Sequence, residues 1–147
     1  MSLRLGEWIR RLCFFRFGVA FEDDISLLVF KSIWRRPRDL TLRLEWHVKH
    51  LNPEWQVFVH FMNEKGEIVF QGDHPFGRRL QDSLGFIYYD WRVLVAADVP
   101  TGPYAIRMGV WWPSRRRHLQ VYGFRGVRQE RPGWCENAVY VGSLWIS

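Results

Sequence analysis

The residues best suited to contact a ligand lie close together in one short stretch of the sequence. Two adjacent tryptophans are followed, after Pro113 and Ser114, by three consecutive arginines: Trp111, Trp112, Arg115, Arg116 and Arg117. Arginine offers planar donors to carboxylates and phosphates, and flat aromatic rings stack on sugars, nucleobases and partner side chains. The Trp111–Arg117 turn therefore predicts a binding surface for nucleic acid, carbohydrate or protein. The alternative is an ordinary sheet edge followed by a solvated turn.

A long loop over residues 73–85 carries a second set of candidates, which are His74, Phe76, Arg78 and Arg79. Short connections make consecutive strands antiparallel, so successive loops alternate between the two ends of the fold. The loops expected at one end are residues 21–24, 50–54, 73–85 and 113–118. Those expected at the other end are residues 34–39, 63–67, 97–102 and 125–136, with Trp34 and Trp134 nearby.

Catalytic and metal-binding patterns are weak in the sequence. Asp73 beside His74 is a pair that can orient an imidazole, but no serine or cysteine lies in a recognisable nucleophile turn. His47 and His50 fall on opposite faces if their strand continues, and no four Cys or His ligands converge. We therefore predict that the chain is not an enzyme and uses no metal or cofactor.

The elements that position these residues are predicted to be β-strands. Residues 40–48 alternate leucine, tryptophan and valine with polar residues, which is typical of a strand with one buried face. Similar runs, separated by turn residues, recur along a chain of 147 residues, of which 17% are aromatic. The sequence predicts an all-β fold: one antiparallel β-sandwich of the jelly-roll or immunoglobulin-like kind, with about eight or nine strands over residues 14–147.

The first 13 residues have a different pattern. Leu5, Trp8, Ile9 and Leu12 follow helical spacing, with charged residues on the opposite side, which predicts a short basic amphipathic helix. This segment is a candidate for docking onto a membrane surface or a partner protein; the alternatives are a helix that caps the sandwich and a first strand. We recognise no membrane-spanning run and no signal peptide, and expect a cytoplasmic or peripheral-membrane location.

Three short motifs occur one after another in the sequence from about residue 21 onward. They are VFVHF at residues 57–61, KGEIV at residues 65–69 and DVPTGPY at residues 98–104. In this order the chain resembles the accessory β-sandwich domain that follows the membrane-embedded part of many bacterial glycosyltransferases of the protein-mannosyltransferase type. The resemblance implies a sandwich fold and a non-catalytic accessory role. Trp112 departs from that pattern, since the family usually has an acidic residue there.

These observations lead to three hypotheses for the function. The first is a non-catalytic interaction or structural module within a larger assembly, with a protein partner or a second copy of the chain, at a membrane surface. The second is a carbohydrate-binding accessory protein, as the resemblance suggests. The third is a basic nucleic-acid-binding protein, which we place last because the net charge of +6 is divided between two ends of the fold.

Overall fold

The computed structural model describes residues 18–76, 84–125 and 137–147, with the side chains of residues 123–125 left out of the description. The described residues form eleven strands and one short 3-10 turn, Pro113–Arg115. The strands are β1 (Gly18–Phe21), β2 (Ile25–Arg36), β3 (Asp39–Val48), β4 (Gln56–Met62), β5 (Ile68–Gln71), β6 (His74–Pro75), β7 (Phe86–Leu94), β8 (Gly102–Trp112), β9 (Arg117–His118), β10 (Val121–Arg125) and β11 (Val139–Ile146).

The strands form two antiparallel sheets that pack together as a sandwich. The first sheet has the order β10-β1-β2-β3-β7, and the second has the order β11-β8-β4-β5, with β6 added to β4 and β9 added to β8. The predicted all-β sandwich is confirmed. The strand count exceeds the expected eight or nine because β1, β6 and β9 are too short to show a period of two.

The core lies between the inner faces of the two sheets. The predicted alternation in β3 is confirmed, because Leu40, Leu42, Leu44, Trp46 and Val48 are fully buried. They belong to one hydrophobic cluster with inward residues of β4 and β8 in the second sheet. Within that second sheet, the Phe61 and Phe70 rings stack with centroids 4.2 Å apart. The buried residues form one continuous hydrophobic cluster, which is what a sheet with one apolar face needs to fold.

A β-bulge in β2 decides which of its residues face the core. The β2–β3 register shifts between Leu27 and Val29, so that even-numbered residues face inward beyond the bulge. Trp34 therefore lies opposite Leu40 and shares its inner face. The described part of β1 pairs with β2 only as far as Leu27, and Trp34 lies in the half of β2 beyond that pairing.

Candidate functional site

The loops of the predicted first end do meet in the structure. Glu22, in the β1–β2 turn, and Glu54, in the β3–β4 loop, both bond to residues between Ser114 and Gln120. The antiparallel alternation of loops is thus confirmed at this end for the described residues. Arg78 and Arg79 lie outside the described residues, as do Leu5, Trp8, Ile9 and Leu12 of the N-terminal segment.

Glu54 holds the Trp111–Arg117 turn in place. The Trp112 indole N–H donates to Glu54 Oε2 at 3.2 Å, and the Ser114 hydroxyl donates to the same oxygen at 2.8 Å. The backbone N–H of Ser114 donates to the other carboxylate oxygen. The Ser114 hydroxyl bond, ahead of the other hydrogen bonds, lowers the pKa of Glu54. This carboxylate therefore occupies the indole donor of Trp112 and both donors of Ser114.

Arg117 is engaged in the same way. Its guanidinium donates to both carboxylate oxygens of Glu22, with the Nη2–Oε2 bond at 3.0 Å, and Glu22 also accepts the backbone N–H of Gln120 at 2.7 Å. The hydrogen bond from Arg117 is the main cause that lowers the pKa of Glu22. Since Glu22 adjoins the first sheet and Arg117 belongs to the second, this ion pair connects the two sheets.

The aromatic rings of the turn are packed against neighbours. Trp112 meets the Trp55 ring edge-on at 6.1 Å, and the guanidinium groups of Arg115 and Arg117 lie 5.1 and 5.3 Å from its ring centroid. Trp111 packs against His118 at 4.8 Å. Both tryptophans are partly buried, whereas Arg115 and Arg116 are exposed. The contacts favour a structural role for the turn, with Arg115 and Arg116 at its surface.

The structure places His74 and Phe76 inside the protein instead of on a loop surface. His74 is 2% exposed and Phe76 is fully buried, packed between Trp46 and Trp55. His74 bonds through Nδ1 to the Gly72 carbonyl at 2.9 Å and through Nε2 to the Tyr89 hydroxyl at 2.6 Å. Neither side chain can contact a ligand that arrives from solvent.

A second group of ionisable residues lies on the outer face of the second sheet. His60 Nε2 is 3.7 Å from Asp73 Oδ1, and His60 Nδ1 is 3.3 Å from Arg107 Nη2. Burial, followed by the charges of His60 and Arg107, lowers the pKa of His118 nearby. Asp73 Oδ1 accepts the backbone N–H of Val59 at 2.8 Å, and 3.7 Å exceeds a hydrogen-bond distance to His60. Asp73 therefore bonds to the backbone of β4 and does not orient the imidazole of His60.

An open groove lies between the two sheets where β2 and β11 end. It has a volume of about 620 Å³. We call it the tryptophan groove; the residues used below to describe it are Trp34, Arg35, Arg36, Arg38, Leu144 and Trp145. The Trp34 side chain is 37% exposed and that of Trp145 is 63% exposed. Two exposed indoles therefore lie beside one concave opening in the described part of the chain.

The arginines at the rim of the tryptophan groove are held in fixed positions. Arg38 Nη1 donates to the carbonyl oxygens of Ala96 and Val99, both at 2.7 Å. Arg36 Nε donates to Asp39 at 3.0 Å, and Arg35 Nε donates to the Thr41 hydroxyl at 3.3 Å. The rim is therefore positively charged and ordered before any ligand binds, which reduces the entropy that binding would cost.

Of the two groove tryptophans, only Trp34 was predicted from the sequence to lie at this end of the fold. Trp34 was expected at this end of the fold, but Trp145 was not singled out, because it looks like an ordinary outward residue of the last strand. In the β11–β8 register, Trp145 pairs with Pro103. The preceding pair, Leu144 with Tyr104, faces inward, so Trp145 occupies an outward position. A tryptophan at an outward position near a strand end was the one sequence signal that could have identified it.

Asp39 joins the groove rim to the outer face of the first sheet. Its carboxylate accepts two bonds from Arg92, at 2.8 and 2.9 Å, in addition to the bond from Arg36. The hydrogen bonds from Arg92 and then Arg36 lower the pKa of Asp39 from 3.8 to about 2. A similar pair lies further along the same two strands, where Arg43 donates to Asp90 at 2.9 and 3.1 Å.

This ion pair predicts a loss of stability in acid. Because the folded pKa of Asp39 lies below its unfolded value, its stabilising effect is complete above about pH 4 and is lost as pH falls toward 2. We expect the urea midpoint to fall over that interval, and Asp39→Asn to reduce the fall. The control is Asp98→Asn, at an exposed position of the β7–β8 turn. An Asp39→Asn protein with the pH dependence of the wild type would contradict this prediction.

The comparisons with known proteins supply no family for this chain. No protein-family model matches the sequence, and no curated protein matches it. The described residues contain no group of three or more His, Cys, Asp or Glu side chains placed to hold a metal ion. Within the same described ranges, no helix has the length and apolar character needed to cross a bilayer.

Proposed function

We propose that the chain is a non-catalytic β-sandwich module that binds an acidic oligosaccharide in the tryptophan groove. The observation that carries the proposal is the open groove between the sheets, with Trp34 and Trp145 exposed beside it and arginines fixed at its rim. Its volume lies within the range of about 300–1,000 Å³ that small-molecule sites usually have.

The chemistry of the lining selects the class of ligand. An indole ring offers a flat apolar face, on which the C–H face of a sugar ring can pack, and it buries a large area at a small entropic cost. A guanidinium group recognises carboxylates and sulfates through paired N–H donors. Trp34 and Trp145 would therefore contact sugar rings, and Arg35 and Arg36 would bind their acidic substituents.

The same lining argues for binding without catalysis. Among the described residues that line the groove, the ionisable side chains are arginines. Arginine remains protonated at physiological pH and cannot exchange a proton with a substrate as a general acid or base would. A carbohydrate-binding accessory role is also what the resemblance to the accessory sandwich domains implies, and the proposal agrees with it.

The proposal is tested by titrating a tetrasaccharide of galacturonic acid into the wild-type protein and into Trp145→Ala. We expect the substitution to weaken binding at least about tenfold, the size typical of a tryptophan at the centre of a binding site. Trp34→Ala should have a similar effect. The neutral galactose tetrasaccharide should bind more weakly than the acidic one, because it lacks the groups that the rim arginines would recognise.

The matched control is Tyr122→Ala, which removes an exposed aromatic side chain on β10, away from the groove residues. It should bind the acidic tetrasaccharide with wild-type affinity. Two results would overturn the proposal: no binding of the acidic tetrasaccharide by the wild type, or equal binding by the wild type, Trp34→Ala and Trp145→Ala. If the double variant Trp111→Ala with Trp112→Ala loses binding while Trp34→Ala and Trp145→Ala keep it, the site lies at the Trp111–Arg117 turn.

A further inference from the structure

The outer face of the first sheet carries a concentration of positive charge. Five cations lie on β2, β3 and β7, at outward positions or at the end of β2: Lys31, Arg35, Arg36, Arg43 and Arg92. We call this surface the basic face. We propose that the basic face docks onto an anionic lipid bilayer. Arg35 and Arg36 also line the rim of the tryptophan groove, whereas Lys31, Arg43 and Arg92 belong to the basic face alone.

The carboxylates of this face do not cancel its charge at the surface. Asp39, Glu45 and Asp90 belong to the same face by their positions in the strand register. Asp39 and Glu45 are buried, at 5% and 3% exposure, and the Asp90 side chain is 44% exposed, whereas the four arginine side chains are at least half exposed. Five cations therefore share the accessible surface with one carboxylate. An approaching surface therefore meets the guanidinium groups first, and the face attracts negative charge.

The arginines of the basic face are ordered in advance. Asp90 accepts both bonds of Arg43 and lies 4.0 Å from Arg35, while Asp39 bonds to both Arg36 and Arg92. Each bidentate pair uses two of the five N–H donors of a guanidinium, so donors remain for phosphate oxygens. Because the side chains are already held, binding to headgroups sacrifices less side-chain entropy than it would for free arginines.

Apolar side chains on the same face favour a lipid surface over nucleic acid. Tyr88 and Leu94, on β7, are 67% and 66% exposed and share the outward side of the sheet. Tyrosine is enriched at the membrane–water interface, and insertion at the acyl boundary would remove the exposed leucine from water. Single-stranded nucleic acid would need a row of stacking aromatics, and on β2, β3 and β7 Tyr88 is the one well-exposed aromatic among the described outward residues.

The test is co-sedimentation of the full chain with vesicles of phosphatidylcholine alone and of phosphatidylcholine with roughly 30 mol % phosphatidylserine, the lipid that makes the cytoplasmic leaflet anionic. We expect binding to the mixed vesicles only, weakening as salt is raised. Lys31→Gln with Arg43→Gln should weaken it roughly 30-fold, from the usual effect of two basic residues at a charged surface. Leu94→Ser, which keeps every charge, should weaken it by a smaller factor.

The control is Arg115→Gln with Arg116→Gln, which removes the same charge from exposed arginines at one end of the sandwich. It should bind mixed vesicles within about twofold of the wild type, since only charges near the surface contribute. The proposal is overturned if the wild type does not bind mixed vesicles or binds both kinds of vesicle equally. It is also overturned if the control variant loses as much binding as Lys31→Gln with Arg43→Gln. Binding to an oligonucleotide but not to vesicles would also overturn it. Trp145→Ala should leave vesicle binding unchanged, which separates this surface from the groove.

Discussion

Replacing Gly109 by alanine is expected to lower the free energy of unfolding by about 3 kcal/mol, at the upper end of the usual cost of overpacking. Gly109 lies on β8 directly opposite Phe58 on β4. A Cβ atom at this position would lie 2.3 Å from the Phe58 ring and 2.6 Å from the Asn137 carbonyl oxygen. The ring could rotate, but the backbone carbonyl next to β11 cannot move without disturbing the strand that begins two residues later.

The matched control for this prediction is Gly142→Ala. Gly142 also lies in a strand, β11, and a Cβ atom there would meet nothing within 4 Å. Its replacement should change stability by no more than about 0.5–1 kcal/mol, through the entropy of the unfolded chain. Urea unfolding of both variants checks the pair. Equal stability of Gly109→Ala and Gly142→Ala would show that the Phe58–Asn137 packing around Gly109 is not as tight as described.

Removing the hydroxyl group of the partly buried Tyr89, in Tyr89→Phe, is expected to cost about 3 kcal/mol of stability, because its oxygen serves two buried partners at once. The Trp46 indole N–H donates to the Tyr89 oxygen at 3.2 Å, and the hydroxyl lies 2.6 Å from His74 Nε2. The Gly72 carbonyl can only accept, so His74 Nδ1 carries the proton of that bond, and in the neutral imidazole Nε2 then accepts from the Tyr89 hydroxyl.

The neighbouring tyrosine provides the control for Tyr89→Phe. Tyr88 lies on the opposite side of β7 and is 67% exposed, so Tyr88→Phe should change the free energy of unfolding by less than about 0.5 kcal/mol. Thermal and urea unfolding compare the two variants, which differ from the wild type by the same atom. If both lose equally little, the chain from Trp46 through Tyr89 to His74 does not contribute to stability as we infer.

The hydrogen-bond chain through Tyr89 also explains why His74, a candidate binding residue in the sequence, has a structural role instead. Asp73 followed by His74 has the composition of a catalytic or ligand-binding pair, yet the two side chains point to different environments. His74 is enclosed between Tyr89 and Trp91, while Asp73 bonds to the backbone of β4. Successive residues of a strand face opposite sides of the sheet, so adjacency in sequence separates these two groups.

The fold was predictable because its signals are local. Alternating apolar residues in β3, β4 and β8 specify which side is buried, and short turns force antiparallel neighbours. The same logic placed Glu22, Glu54 and the Trp111–Arg117 turn at one end. It could not foresee that two carboxylates would accept bonds from Trp112 and Arg117, since that depends on distances between side chains 58 and 95 residues apart.

The sequence by itself determined the sandwich, the inward faces of β3, β4 and β8, and an excess of positive charge. The tertiary structure alone decided where that charge and the tryptophans become accessible. A bulge beyond Leu27 reverses the faces of β2 and turns Trp34 toward the gap between the sheets, and the end of β11 brings Trp145 beside it. A bulge and an edge between two sheets are set by packing across the whole domain, and neither leaves a periodic signal in the chain.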